Sequence, residues 1–177
     1  MKKKRFLETK IVSIPHQQEA GKSGKDIGEG FENITVLDIS AKALDKAKKR
    51  LGKKALKVNW VVSDITEFKP DTTFDVWHDR ATFHFLITSE QVSRYLDTAR
   101  KFVSDYLFIG TFSETSPKKC SGLQVKQYSE EKLTTELQNG FRKIRCITEE
   151  HITPLDTQQN ILFCRFKRHM ISSDLSA

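Results

Sequence analysis

The sequence predicts an α/β domain with a mostly parallel sheet, and three observations within residues 34–86 support this. Apolar runs ending in polar residues occur at Ile34–Asp38, at Lys57–Asp64 and from Phe74 onward. A helix, Ala41–Leu51, is predicted between the first two runs. Strands that alternate with a helix are typical of a parallel sheet. In open sheets of this kind, ligands bind just beyond the carboxyl ends of the strands.

The predicted helix Ala41–Leu51 has recognisable ends and an apolar face. Ser40 is suited to cap its first turn, and Gly52 is suited to follow its last residue. Apolar residues recur at helical spacing, namely Ala43, Leu44, Ala47 and Leu51. One face of this helix is therefore expected to pack on the sheet.

The C-terminal half predicts an antiparallel end to the same sheet. A helix capped by Ser89 is expected to run through Val103, followed by a buried strand at Tyr106–Phe112. Another helix opens at Ser129. Two long strands, Phe141–His151 and Gln159–Arg168, flank a turn at Thr153–Asp156, which is typical of a hairpin.

The chain of 177 residues is most simply one domain. We expect a basic tail at residues 1–10, a single domain at residues 11–168 and a C-terminal tail at residues 169–177. No apolar run approaches the roughly 18 residues of a membrane span. The residues Met1–Arg5 have no apolar stretch behind them, which argues against a secretory signal and favours the cytoplasm.

The net charge of +7 does not by itself indicate a nucleic-acid partner. Many of the cations fall on the predicted helix Ala41–Leu51 and its exit, as expected for a solvated face, and no recognition motif accompanies them. Cys120, Cys146 and Cys164 show no close spacing, so we predict reduced thiols in the core and no metal site.

Several stretches together resemble one enzyme family, the class I S-adenosylmethionine-dependent methyltransferases, and most closely its small bacterial-type members. The stretches are Ile34-Thr-Val-Leu-Asp-Ile-Ser40, Val76-Trp-His-Asp-Arg-Ala-Thr-Phe-His-Phe-Leu86, Ile109-Gly-Thr-Phe112, Lys119-Cys-Ser-Gly-Leu123 and Asn160-Ile-Leu-Phe-Cys-Arg-Phe166. The resemblance covers roughly residues 31–168. It implies a Rossmann-like fold, S-adenosyl-L-methionine as cofactor, and a small-molecule or protein methyl acceptor.

One departure from this family concerns the loop after the first strand. The family places a glycine-rich loop there, because backbone approaches the methionine part of the cofactor closely. Here the short predicted strand Ile11–Ile14 is followed by Pro15-His-Gln-Gln-Glu-Ala-Gly21. Either the loop has diverged, or the true amino-terminal part has been replaced by unrelated residues.

The resemblance assigns the adenosine half of the cofactor to two strand ends. Asp38 would accept both ribose hydroxyls, and Ile39 would pack on the adenine. The carboxylate of Asp64 would meet the adenine amino group, while the Ile65 backbone amide would meet a ring nitrogen. The alternatives are helix capping by Asp38, ordinary core for Ile39, and capping of the turn at residues 66–68 by Asp64.

The resemblance places the reaction at His78, Asp79 and Arg80, with His78 also against the cofactor. Methyl transfer needs proximity more than acid–base help, and a neutral His could accept the proton that the acceptor loses. Asp79 could orient His78, and Arg80 could hold an anionic acceptor. The alternative is a structural network, and His84 is expected to be a core residue.

The sequence therefore predicts a methyltransferase, impaired if the loop no longer binds the methionine end. A non-catalytic interaction domain of the same ancestry is the alternative, and a nucleotide-binding module using Lys22 and Lys25 is a third. If Ile11–Ile14 does not pair in the sheet, Ile34–Asp38 has an open apolar edge, which would favour a homodimer.

Overall fold

The computed structural model describes residues 33–152 and 158–169, and these residues form the α/β architecture that the sequence predicts. The elements in chain order are β1 (Ile34–Asp38), α1 (Ala41–Leu51), β2 (Val58–Val62), β3 (Phe74–Arg80), α2 (Ser89–Phe102), β4 (Val103–Phe112), β5 (Lys119–Cys120), β6 (Leu123–Gln124), α3 (Glu130–Leu137), β7 (Phe141–Ile152) and β8 (Gln158–Arg168). Predictions for residues 1–32, for the turn at residues 153–156 and for the tail beyond residue 169 lie outside the described residues.

The strands β1 and β2 form a parallel pair, in register from Ile34 opposite Val58 to Asp38 opposite Val62. The side chains of β1 are buried from Thr35 to Asp38, so both faces of this strand are covered. Within the described residues, β1 pairs only with β2.

The larger sheet has the strand order β3-β4-β8-β7. Its β3–β4 pair is parallel, whereas β8 runs antiparallel to both β4 and β7. This mixed arrangement confirms the predicted parallel start and antiparallel hairpin. Buried residues of α2 and α3, such as Tyr95 and Leu133, share one apolar core with Trp77 of β3 and Leu107 of β4.

The amino ends of β1, β2 and β3 lie near one another, although no pairing among the described residues joins β3 to β1 or β2. Residues at their amino ends, including Ile34, Val58 and Phe74, line one cavity of about 600 Å³. Leu37 of β1 also belongs to the same buried core as Trp77 of β3. The carboxyl ends of the three strands therefore lie together at the opposite edge, away from this cavity.

The helix ends follow local hydrogen bonding. The Ser40 hydroxyl accepts from the Ala43 amide at 3.3 Å, which confirms the predicted cap of α1. The prediction that Ser89 caps α2 is wrong, because the cap is Thr88. The Gln91 side chain accepts from the Thr88 amide while the Thr88 hydroxyl accepts from the Gln91 amide, which forms a capping box. None of the helices that the structure describes is long and apolar enough to cross a membrane.

The prediction that all three cysteines are free thiols is also wrong. Cys146 of β7 and Cys164 of β8 lie directly opposite each other, with Cα atoms 4.1 Å apart, and they form a disulfide. Cys120 is a free, buried thiol, as predicted. The disulfide ties the two antiparallel strands together on the face that packs against the core.

Candidate active site

Asp38 ends β1 with a buried carboxylate. Its side chain is 3% exposed, and its Oδ1 accepts a hydrogen bond from the Ser40 amide at 2.7 Å. The turn after the strand therefore uses one carboxylate oxygen, as the capping alternative expects.

Ile39 follows Asp38 and projects from the edge of the sheet. Its side chain is 67% exposed, so the alternative that Ile39 is ordinary core is wrong. A β-branched apolar side chain at this position is available to cover a flat ligand. Asp38 and Ile39 thus present a carboxylate and an apolar surface at the same strand end.

Asp64 and Ile65 follow β2 at the same edge. The Oδ1 atom of Asp64 accepts from both the amide and the hydroxyl of Thr66, each at 2.8 Å, so this carboxylate caps the short turn that follows. Asp64 itself is exposed, whereas the Ile65 side chain is buried in the core. The capping geometry is therefore present, and an exposed carboxylate also remains at the predicted adenine position.

His78 and Asp79 lie on opposite faces of β3, since successive side chains of a strand alternate. His78 is half-buried, with its ring 6.2 Å from the ring of Phe108 on β4. Asp79 is fully buried on the face covered by α2. The side chain of Asp79 therefore points away from the His78 ring, and the prediction that Asp79 orients His78 stays a prediction.

Asp79 instead holds the turn after β3 from inside the protein. Its Oδ1 accepts from the Thr82 amide at 3.0 Å. Burial raises the pKa of Asp79 to about 6, and the Thr82 amide and the Tyr95 hydroxyl oppose that rise. Burial, followed by the nearby Asp79 charge, raises the pKa of Tyr95 well above its ordinary value.

Arg80 is exposed and ends β3 on the same face as His78. The next residue, Ala81, has φ of 71°, a left-handed conformation that is unfavourable for a residue with a Cβ. Its amide donates to the Gly110 carbonyl at 3.0 Å, and the Asp79–Thr82 bond closes the turn. Strained backbone of this kind is often found at functional sites.

His84 lies in the turn Phe83–Phe85 and is a core residue, as predicted. It is 0% exposed, and its ring centroid lies 4.4 Å from those of both Phe85 and Phe112. Burial lowers the pKa of His84 to about 4, so the imidazole is neutral at physiological pH. Neither ring nitrogen has a hydrogen-bond partner among the residues that the structure describes.

A loop after β4 covers the top of the sheet beside these residues and contains the hairpin β5–β6, which the sequence did not predict. Asn160 of β8 anchors this loop: its amide donates to the Ser116 hydroxyl at 3.0 Å, and its side-chain amide donates to the Thr115 hydroxyl at 2.9 Å. The Lys126 amide donates to the His84 carbonyl at 2.7 Å. These bonds join the loop to the turn after β3.

Sequence reasoning also missed a row of side chains that continues from His78 across the sheet. Phe108 of β4 lies beside His78, and Arg165 of β8 lies beside Phe108 in register. Alternation in Tyr106-Leu-Phe108 and in Phe163-Cys-Arg165 would place these residues on one face. The pairing of β4 with β8, which brings them together, has no local signal in the sequence.

The described edge thus joins two kinds of chemistry. The ends of β1 and β2 offer carboxylates and an apolar side chain, which suit an adenosine. The end of β3 offers an imidazole and an exposed guanidinium. The residues present therefore fit the adenosine half of S-adenosylmethionine.

Comparison with known proteins finds methyltransferases both by sequence and by fold. The family model described as "Methyltransferase domain" matches residues 20–105. Nodulation protein S from Rhizobium tropici is 32% identical over 57 residues, which are 32% of this chain and 24% of that protein. The match thus spans about a quarter of the length of this curated relative.

Solved methyltransferases share the fold. The N-methyltransferase NodS from Bradyrhizobium japonicum WM9, in complex with S-adenosyl-L-homocysteine, aligns with a TM-score of 0.63 at 18% identity, covering 78% of this chain and 67% of NodS. Magnesium protoporphyrin IX methyltransferase from Synechocystis PCC 6803, with bound S-adenosylmethionine, aligns with a TM-score of 0.57 at 18% identity, covering 82% of this chain and 64% of the enzyme. A match to the methyltransferase-domain model over residues 20–105 and a Rossmann-like methyltransferase fold therefore coincide in this chain.

Proposed function

We propose that this chain binds S-adenosylmethionine at the carboxyl ends of β1, β2 and β3 and transfers its methyl group to a small-molecule or protein acceptor. The observation that carries the proposal is the strand end at Asp38 and Ile39. A buried carboxylate and a 67% exposed apolar side chain are adjacent there, within the domain that the methyltransferase family model matches.

The adenosine is held by two strand ends. Asp38 accepts the ribose hydroxyls while its Oδ1 keeps the Ser40 amide, so the turn positions the carboxylate. Ile39 covers one face of the adenine. Asp64 and the Ile65 amide receive the polar edge of the base, and Asp64 is held in place by its two bonds to Thr66.

The acceptor is placed at the end of β3. The cofactor supplies an electrophilic methyl group when bound. His78 lies against the cofactor and takes the proton that the acceptor loses, and Arg80 attracts an anionic acceptor electrostatically. Asp79 acts from the buried face, where its bond to the Thr82 amide fixes the turn that follows His78 and Arg80. Asp79 is thus a positioning residue.

The methionine half of the cofactor depends on residues 15–24, whose sequence carries Pro15, His16, Gln17 and Gln18 where the family has glycine. Pro15 lacks an amide donor. Loss of two or three hydrogen bonds to a charged group, at roughly 1.5–3 kcal/mol each, weakens binding by several orders of magnitude. We therefore expect weak cofactor binding and little methyl transfer, and a non-catalytic interaction domain remains the alternative.

A chimeric protein distinguishes an impaired methyltransferase from a non-catalytic interaction domain. Residues 1–30 are replaced by a glycine-loop segment from an intact relative, and S-adenosylhomocysteine binding is measured by calorimetry before and after the replacement. Restored binding supports an impaired methyltransferase, because the described edge is then competent. Absence of binding in the folded chimera would favour the non-catalytic alternative.

The remaining parts of the proposal concern organisation. A single domain at residues 11–168 lies between two tails, and the protein works in the cytoplasm without a metal or nucleic-acid partner. If Ile11–Ile14 does not pair in the sheet, the open apolar edge of β1 promotes a homodimer or aggregation. Sedimentation of a clean monomer at high concentration would contradict the open edge.

A further inference from the structure

One face of the four-stranded sheet carries aromatic rings and cations side by side. On β4 this face has Tyr106 and Phe108, and on β8 it has Arg165 and Lys167. Phe108 pairs in register with Arg165, and Tyr106 pairs with Lys167. Among the described residues, α2 and α3 contribute to the core on the opposite face.

Arg165 lies on this face over two aromatic rings and has no acidic partner among the described residues. Its guanidinium carbon lies 4.5 Å from the centre of the Tyr106 ring and 5.8 Å from the centre of the Phe108 ring. Within the described part of the chain, its buried Nε has no hydrogen-bond partner, and no Asp or Glu forms an ion pair with its guanidinium. Lys167, by contrast, is paired with Asp105.

A second arginine adds electrostatic repulsion to this face when no anion is bound. Arg145 of β7 lies directly opposite Arg165 in the register of the hairpin. Like charges opposite each other on neighbouring strands destabilise a sheet. A bound anion would relieve that repulsion.

The distance to His78 limits the size of such an anion. His78 pairs with Phe108 on one side and Arg165 pairs with Phe108 on the other, so His78 and Arg165 are two strands apart. Neighbouring strands are about 4.8 Å apart, which separates the two residues by about 10 Å. A ring that carries a carboxylate spans most of this distance, and the rings of Phe108 and Phe163 offer flat surfaces beside it.

Phe163 adds to this surface because of a glycine. It pairs with Gly110, and a Cβ on Gly110 would come within 2.7 Å of the Phe163 ring. The ring therefore lies directly on the backbone of β4. Arg80 of β3 is on the far side of Gly110, and Arg165 is two residues along β8 on the same face. This leaves a shallow surface of rings edged by cations.

We propose that Arg165 binds the carboxylate of a planar methyl acceptor whose reacting atom reaches His78. This inference rests on the proposed methyltransferase function and names its acceptor class. Arg165 provides two parallel N–H donors to the carboxylate, and Phe108 and Phe163 contact the ring of the acceptor. Arg80, which is exposed, contributes through longer-range attraction only.

Benzoate and its neutral isostere benzamide provide the test, since they differ in charge but hardly in shape. Binding of each is measured by NMR titration at constant ionic strength, following the His78 ring signals assigned through His78→Gln. We expect benzoate to bind at least about tenfold more tightly than benzamide, and Arg165→Gln to abolish this preference. Arg80→Gln should reduce it about twofold, and Lys101→Gln, on a helix of the opposite layer, should leave it unchanged.

Equal binding of benzoate and benzamide to the unmodified chain would overturn the proposal without any variant. An unchanged preference for benzoate in Arg165→Gln would also overturn the proposal. An unchanged preference in Arg165→Lys would indicate a simple charge effect without paired donors, which would contradict the assigned geometry. S-adenosylhomocysteine binding is measured on the same samples. If benzoate binds through Arg165 but the glycine-loop chimera binds no cofactor, the methyltransferase function fails and the anion site stands.

Discussion

The two faces of the four-stranded sheet differ although the same strands supply both. On one face, Trp77 and Asp79 of β3 are completely buried against α2. On the other, His78 and Phe108 are half-buried and Arg165 lies over aromatic rings without an acidic partner among the described residues. The residues on the first face therefore stabilise the fold, whereas the side chains on the second face are placed to bind a ligand.

This comparison explains the contrast between neighbours in sequence. Asp79 is sealed from solvent, so burial raises the pKa of its carboxyl to about 6, and its hydrogen bond to the Thr82 amide shapes a turn. His78, one residue earlier, faces the side where Arg80 and Arg165 also lie. Two residues that are adjacent in a sequence motif can therefore lie on opposite faces of a strand and contribute to function in different ways.

The largest expected effect is the difference in the free energy of unfolding lost when a residue on each face is truncated. Trp77 is 0% exposed and packs against Phe74, Tyr95 and Phe68, with ring centroids 5.7, 6.0 and 6.2 Å away. We expect Trp77→Ala to lower the free energy of unfolding by about 3–5 kcal/mol, the usual cost of truncating a core aromatic residue. The matched change His78→Ala should cost about 1 kcal/mol or less. Similar losses in urea denaturation would contradict the comparison.

The second effect concerns pH. A buried carboxyl with its pKa raised to about 6 binds a proton more tightly in the folded than in the unfolded state, so its contribution to stability falls as pH rises from about 4 to about 6. Asp79→Asn removes this dependence and keeps an acceptor for the Thr82 amide. We expect the stability of the wild type relative to Asp79→Asn to drop by up to about 3 kcal/mol across this window. A difference independent of pH would show that the carboxyl is not desolvated.

The third effect concerns the ring that lies on β4. Gly110→Ala should cost about 1–3 kcal/mol, because the new methyl group overlaps the Phe163 ring. In the background of Phe163→Ala the same change should cost much less, and the double-mutant cycle measures the difference. Equal costs in both backgrounds would mean that Phe163 does not lie over Gly110.

Local signals in the sequence predicted much of the fold. Ser40 and Ser129 cap their helices with side-chain bonds to amides three residues ahead, so the prediction needed no distant contact. Thr88 was missed because Ser89 beside it is an equally good cap by type, and only the reciprocal bonds with Gln91 decide. The apolar runs predicted the larger strands because burial and composition agree there.

The sequence could not predict contacts that depend on register. Cys146 and Cys164 become neighbours only through the pairing of β7 with β8, which includes an irregularity at residues 143–145. Arg165 reaches Phe108 only because β8 inserts between β4 and β7. The opposite orientations of His78 and Asp79 follow from strand alternation, whereas the motif resemblance assigned Asp79 the role of orienting His78.

The most direct test of the site at the carboxyl edge is calorimetry with S-adenosylhomocysteine on Asp38 variants in the glycine-loop chimera. Asp38→Asn keeps an acceptor for the Ser40 amide, and Asp38→Ala removes it. Asp71→Ala, at an exposed position before β3, is the matched control at the opposite edge.

We expect Asp38→Ala to weaken binding by roughly 1.5–3 kcal/mol, the range for hydrogen bonds to a charged group, while Asp71→Ala leaves it unchanged. In the unmodified chain we expect affinity weaker than micromolar. Micromolar binding there would contradict an impaired methionine site, and equal affinity in folded Asp38→Ala, Asp38→Asn and parent chimera would contradict the cofactor site itself.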